Sequence, residues 1–353
     1  MTTFVPGLQL SEAFYREAVA PLLPGDLPHS AALLGSGSEV LGFDDEMSCD
    51  HHWGPTVQIF VAEIPAALHA HLARHLPVEF RGYPTHYAEA EDGNPVLKAV
   101  SGPPVNHRVL LSTMRGYLRR KIAIDVDEEL DARTWLSLPS QRLRAITAGA
   151  VFHDDLGLAA VRERFEWYPH DVWLCQMAAV WRRIGQEEHL MGRAAYVGDD
   201  LGSRLIAARL VRDVMRLAFL IEREYAPYPK WFGTAFLQLE SNERLRPSLE
   251  GALAAASAEA REGHLCEAYE GVAAMHNSLG LTPRLDPACR GFHTRPFRVI
   301  DGDRFASALL EVIGDPELKD PHVVGGIDSL SDNTDLLEDP AYAREVLGVR
   351  RPR

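Results

Sequence analysis

Nowhere in the 353 residues does a run of about eighteen apolar residues occur without charges, so no membrane-spanning helix is expected. The N-terminus, Met1-Thr2-Thr3-Phe4, lacks a basic region ahead of a long apolar stretch, which argues against an export signal and for a cytoplasmic protein. Basic charge is short: 36 Lys and Arg against 50 Asp and Glu leave a formal charge of −14. Phosphate-backbone binding wants a basic footprint, so no nucleic-acid partner is expected. Cysteine is sparse and scattered. Cys49, Cys175, Cys266 and Cys289 have no zinc-type spacing and read as reduced, mostly structural thiols. No internal repeat and no low-complexity tract interrupts the chain.

What is present concentrates in Leu33–Pro55, LLGSGSEVLGFDDEMSCDHHWGP. Gly35, Ser36, Gly37 and Ser38 allow a tight turn that aims N–H groups and hydroxyls at an anion. Asp50, His51 and His52 follow, directly before the strand signal Val57–Val61. Two residues apart at a strand entrance, Asp50 and His52 are expected on the same side, as a metal pair.

The apolar pattern gives mixed strands and helices up to about residue 125, with strands at Ala31–Leu34, Val57–Val61 and Val105–Thr113. Val78-Glu79-Phe80 reads as an edge strand. Helices are expected at Leu10–Val19, Ile64–Leu76 and Met114–Lys121. Beyond 125, helical periodicity continues without a convincing strand: Ser140–Ala148, Leu156–Trp167, Asp171–Leu190 with Asp171 as N-cap, Leu201–Tyr225, Pro247–Glu262 and Cys266–Leu279. The last forty residues, rich in Pro, Gly and Asp, read as an extended strap. The expected fold is α+β: a mixed-sheet domain (1–125), a helical domain (126–313) and an extended C-terminal tail (314–353).

A Gly-Ser turn followed by acidic ligands on a strand resembles the signature of the nucleotidyltransferase superfamily that includes DNA polymerase beta and the aminoglycoside adenylyltransferases. More closely, GSGSEVLGFDDEMSCDHHWGP, Tyr168–Trp173, Gly192-Arg193, Gly198–Ser203 and Tyr225–Trp231 resemble the bacterial family designated domain of unknown function 4037. The resemblance implies an NTP, with ATP preferred, held at Gly37 and Ser38. It also implies a divalent metal (Mg or Mn) at Asp50 and His52, which are then the catalytic pair. NMP would pass to an acceptor hydroxyl, of a small molecule or a protein side chain, with release of pyrophosphate.

His52 stands where the superfamily has a second aspartate, and histidine favours transition metals over magnesium. The strand Val109-Leu110-Leu111 supplies no third carboxylate. Asp44, Asp45 and Glu46 could replace the missing ligand, or form a solvated acidic loop; Glu79 is a fallback. On the helix Ile206–Arg223, the arginines, Arg212 and Arg216 among them, must meet either internal carboxylates or an anion. Lys230, between Tyr228 and Trp231, resembles the lysine with which the helical domain of aminoglycoside nucleotidyltransferases reaches the nucleotide phosphates, and reads alternatively as a snorkelling lysine in a structural turn. Glu187 and Glu188 are read as ending a helix and as candidate bases. Two other readings stand beside the enzyme: a nucleotide-binding sensor of the same fold without turnover, and a transition-metal hydrolase using Asp44, Asp45, Asp50, His51 and His52.

Overall fold

The computed structural model describes residues 4–91, 93–319 and 324–349. Met1–Thr3, on which the export reading rests, and residues 320–323 and 350–353 of the tail lie outside the described residues. Two compact units emerge: Met1–Glu129 with Gln141–Glu166, and Leu130–Ser140 with Trp167–Arg353.

The first unit opens with α1 (Gly7–Phe14), which runs on into a π-helical turn, Tyr15–Val19. Strand β1 (His29–Leu33) is buried from Ser30 onward and delivers the chain to the glycine-serine turn and the short α2 (Ser38–Leu41). A 3-10 turn, Glu46–Asp50, precedes β2 (Thr56–Val61), whose side chains are buried apart from the half-buried Gln58. Gln58 Nε2 donates to the Leu34 carbonyl (2.7 Å), tying the end of β1 to its neighbour.

After α3 (Leu68–His75) come two small antiparallel ribbons, β3 (Glu79–Phe80) with β4 (Tyr83–Pro84) and β5 (Tyr87–Glu89) with β6 (Pro95–Leu97). Then follow β7 (Arg108–Ser112) and α4 (Met114–Ile122), the latter capped by Thr113. Parallel pairing of β2 with β7 and antiparallel pairing of β1 with β2 make a mixed sheet, as expected. Phe14, Trp53, Ile59 and Val109 belong to its core.

The chain enters the second unit at α5 (Ala132–Ser137) and returns through α6 (Ser140–Thr147). The returning segment corrects the all-helical reading of 126–313: β8 (Ala150–Asp154) pairs antiparallel with β1, completing the order β7-β2-β1-β8, and α7 (Leu158–Glu163) follows it. A β-carbon on Gly149 would lie 1.9 Å from the Leu33 carbonyl oxygen, and its φ is +76°. Only glycine admits this approach. The boundary expected at 125 therefore gives way to a first unit that resumes at Gln141 and ends at Glu166.

The second unit is mainly helical: α8 (His170–Tyr196), α9 (Asp200–Ile221), α10 (Phe232–Phe236), α11 (Asn242–Ala254) and α12 (Ala258–Ser278). A two-stranded ribbon, β9 (Arg290–Gly291) with β10 (Arg298–Val299), precedes α13 (Asp303–Val312). Trp181 stacks on Phe305 (4.3 Å, 16°) and donates to His276 Nδ1 (3.2 Å) in the core.

Two helix boundaries differ from expectation. Asp171 lies inside the first turn of α8 and uses Oδ2 to accept from Gly314 N (2.9 Å) and Asp315 N (2.7 Å), so it anchors the tail instead of capping. The helices expected at Pro247–Glu262 and Cys266–Leu279 divide earlier: α11 ends at Ala254 and α12 runs unbroken from Ala258 to Ser278, because Ser257 leaves helical geometry to cap α12. The tail strings α14 (Ile327–Leu330), α15 (Thr334–Glu338) and α16 (Pro340–Val346) between extended segments.

Candidate functional site

At the C-terminal end of β1 the chain reverses through Gly35, at φ +136°, a conformation that L side chains rarely adopt. Ser36 is exposed, and Gly37 and Ser38 are half-buried. Gly37 enters α2 with no side-chain cap. One acid missed by the sequence reading stands over this turn. A β-carbon at Gly37 would come within 2.4 Å of both Glu39 carboxylate oxygens, so that carboxylate covers Gly37. Burial raises the Glu39 pKa. Its own backbone N–H opposes the rise, Asp44 adds to it and Arg108 works against it. Its sequence signal was an acid next to a serine in a first helical turn.

The acidic loop beyond α2 is fixed at both ends. Asp44 Oδ2 accepts from Gly7 N (2.6 Å) and Trp53 Nε1 (2.9 Å). Asp45 Oδ1 accepts from Met47 N (2.9 Å) and Ser48 N (3.2 Å), and Ser48 Oγ accepts from Asp45 N, which closes a capping box on the 3-10 turn. Both aspartates thus hold the loop. Trp53 is buried against Phe4 and Tyr83, and Arg108 donates to the His52 carbonyl (2.6 Å) while lying over the Tyr87 ring.

Asp50 ends the 3-10 turn with its side chain 64% exposed and Oδ1 2.8 Å from His51 Nδ1. His52 takes a positive φ of 57° and turns its Nε2 to Asn94 Oδ1 (3.0 Å). The expected placement of Asp50 and His52 on one side of a strand entrance is corrected here. β2 begins only at Thr56, so strand alternation does not govern residues 50–52. As arranged, Asp50 faces His51 and His52 faces Asn94, so a divalent ion shared by Asp50 and His52 would displace the Asn94 contact. Among the described residues, the only three-residue group whose ligand atoms converge is His29, His153 and Asp155. Glu79 sits on the β3–β4 ribbon, outside the main sheet.

In the second unit, Arg212 Nη1 pairs with Asp332 Oδ2 (2.6 Å). Arg216 lies beside the buried Asp213, Nη1 to Oδ1 4.0 Å, and burial lowers its pKa. Arg183 Nε donates to Asp213 Oδ2 (2.9 Å). Asp328 accepts from Ser140 N (2.9 Å) and Oγ (3.2 Å); burial raises its pKa, with Ser140 and then Arg216 opposing.

The Gly198–Ser203 segment is likewise engaged. Asp199 caps α9 through Gly202 N (2.8 Å), and the fully buried Arg261 donates to Ser203 Oγ (2.5 Å) and Asp200 Oδ1 (2.9 Å). Lys230 is exposed, its ammonium 4.8 Å from the Trp231 ring centroid.

Glu187 and Glu188 lie within α8, not at its end. Glu187 pairs with Arg209. Glu188 is buried and accepts from Ile300 N (2.6 Å), Asp301 N (3.3 Å) and Gly302 N (3.1 Å); burial pushes its pKa up to about 7, against those hydrogen bonds.

Residues 135–232 match the family described as a domain of unknown function, DUF4037. The DUF4037 match runs from α5 to the 3-10 turn at Lys230 and takes in Tyr168–Trp173, Gly198–Ser203 and Tyr225–Trp231, while the glycine-serine turn and the acidic loop lie before it. A solved structure described as a nucleotidyltransferase-like protein from Exiguobacterium sibiricum 255-15 is 11% identical, with a TM-score of 0.35 and coverage of 96% of this chain and 90% of that one. No curated protein matches. Among the described residues no helix is long and apolar enough to cross a membrane.

Proposed function

We propose that this is a cytoplasmic nucleotidyltransferase-like enzyme that receives the phosphates of an NTP at Gly35–Ser38 and passes NMP to an acceptor hydroxyl, releasing pyrophosphate. The observation that carries the reading is the uncapped turn between the buried end of β1 and α2, with the exposed Asp50–His51 pair ending the loop that follows. Backbone N–H groups and the Ser36 and Ser38 hydroxyls orient the phosphates once the Glu39 carboxylate over Gly37 moves aside. Asp50, held by His51, takes the proton of the attacking hydroxyl, and the leaving pyrophosphate carries the displaced charge. Arg212 and Arg216 serve their carboxylate partners in this reading, whereas exposed Lys230 stays open to an anion.

A divalent ion at Asp50 and His52 would neutralise phosphate charge, once His52 gives up its Asn94 contact. The second reading, nucleotide binding without turnover, is favoured specifically by the His52–Asn94 contact, which occupies Nε2 of the second candidate ligand. Thermal shift of wild type and Asp50→Asn with ATP, GTP, CTP and UTP, each alone and with magnesium or manganese, tests binding. Pyrophosphate release over an acceptor panel tests transfer. The enzyme reading expects binding in both proteins and release only in wild type. Equal release from the mutant, or no stabilisation by any nucleotide, would overturn it.

A further inference from the structure

At the other end of β1, away from the glycine-serine turn, three ligand-type side chains meet across two strands. The register pairs Ser30 with Asp154 and Ala31 with His153, and Asp155 N donates to the His29 carbonyl (3.1 Å), so His29 and Asp155 face each other across the ladder. His153 and Asp155, two apart, share that face. The His29 and His153 ring centroids are 4.5 Å apart, His153 Nε2 lies 2.8 Å from Asp155 Oδ2, and one ligand atom from each of the three residues falls within 4.8 Å of the others.

From this geometry we propose that His29, His153 and Asp155 form a binding site for a first-row divalent cation of the zinc class, separate from the nucleotide turn. Two imidazole nitrogens and one carboxylate oxygen suit such an ion, and three protein ligands leave a position for water. Bonds of about 2.0–2.1 Å bring ligand atoms to roughly 3.3 Å from one another in a tetrahedral shell, so modest rotation of these side chains closes the set.

The surrounding contacts orient the ligands. His29 Nδ1 lies 2.9 Å from the Leu27 carbonyl, which fixes Nε2 as the outward lone pair. That nitrogen now meets the Tyr15 hydroxyl at 2.8 Å, a group the cation would displace. Asp154, between the two β8 ligands, is held on the opposite face by Ser30 Oγ (2.6 Å), Leu158 N (2.8 Å) and Ala159 N (2.9 Å), which anchors the strand end. His29 and His153 are half-buried and Asp155 is exposed, so the site opens to solvent. Since β8 is an edge strand supplied by the returning segment 141–166, the ion would clamp that segment to β1.

The test is titration of the full, chelator-stripped chain with zinc by competition against a chromophoric chelator, together with cobalt titration followed by visible absorption. One strong site is expected, weakened at least tenfold in both His153→Ala and Asp155→Asn, and retained in His71→Gln/His75→Gln and in Asp50→Asn/His52→Asn. Cobalt should give d–d bands in wild type that are lost in Asp155→Asn. Circular dichroism and melting in EDTA check that the variants fold; if His153→Ala does not, His153→Gln takes its place. Zinc binding unchanged in Asp155→Asn and the His153 variant, binding that follows the 71/75 or 50/52 residues, or no binding by wild type would overturn the site and leave a histidine–aspartate ion pair.

Discussion

The acidic loop of the first unit and the arginine face of α9 carry similar densities of charge but treat it oppositely. In the loop, Asp44 and Asp45 are spent on backbone and indole donors while Asp50 projects into solvent with only a neighbouring histidine beside it. On α9, Asp213 is buried between Arg183 and Arg216, and Arg212 is matched by Asp332. An exposed charge keeps its hydration and can exchange a partner for a ligand. A buried one has lost its hydration and depends on the partner it has. Charge density alone therefore does not mark a ligand site; the degree of desolvation separates the two.

The largest effect that could break this contrast comes from Asp213→Ala, which leaves buried guanidinium groups uncompensated. It should lower stability by roughly 3–5 kcal/mol, read by urea unfolding, whereas Asp50→Asn should leave the midpoint nearly unchanged. A small loss at Asp213 would erase the distinction.

Next comes Glu188, whose folded pKa of about 7 stands above an ordinary value of 4.5. Between those values the folded chain holds a proton that the unfolded chain has released, so stability falls as pH rises through the window and levels off above it. The total fall is on the order of 3 kcal/mol, from about 1.4 kcal/mol per pKa unit. Unfolding of Glu188→Gln measured from pH 4.5 to 7.5 should lack this component.

A smaller effect sharpens the first unit's side of the comparison. Glu39 covers Gly37, so Glu39→Gln removes a negative charge from the anion-receiving turn and should tighten NTP binding several-fold in calorimetry. This gain of about 1 kcal/mol is what an exposed-to-half-buried charge is worth at such range. Weaker binding would mean that Glu39 supports the turn instead of obstructing it. The smallest effect belongs to Asp332→Asn, whose partner Arg212 is about one-third exposed; loss of such a surface pair should cost about 0.2–1 kcal/mol and be salt-sensitive.

The sequence made β1, β2, β7, α4, α8 and α9 legible, because their apolar periodicity is long or cleanly bounded. It hid β8: Ala-Val-Phe-His-Asp is a short edge strand with a polar end, and its pairing with β1 spans more than a hundred residues. It also hid the break between α11 and α12, since alanines around Ala255 continue a helical pattern that Ser257 ends by capping. At the site, the glycine-serine turn and Asp50 were visible as residue types, but the turning of His52 to Asn94 and the covering of Gly37 by Glu39 were not. Those depend on where side chains from other segments come to rest.

By itself the sequence determined the composition of the site region, the mixed α+β class, the position of the glycine-serine turn and the presence of an arginine face on a nearly all-apolar helix. These follow from local backbone preference and from periodicity, which act within a few residues. Tertiary structure alone decided which charges are neutralised and which stay exposed, and it alone brought His29 on β1 to His153 and Asp155 on β8. Desolvation and cross-strand register belong to the folded chain, because both are set by segments that meet only after packing.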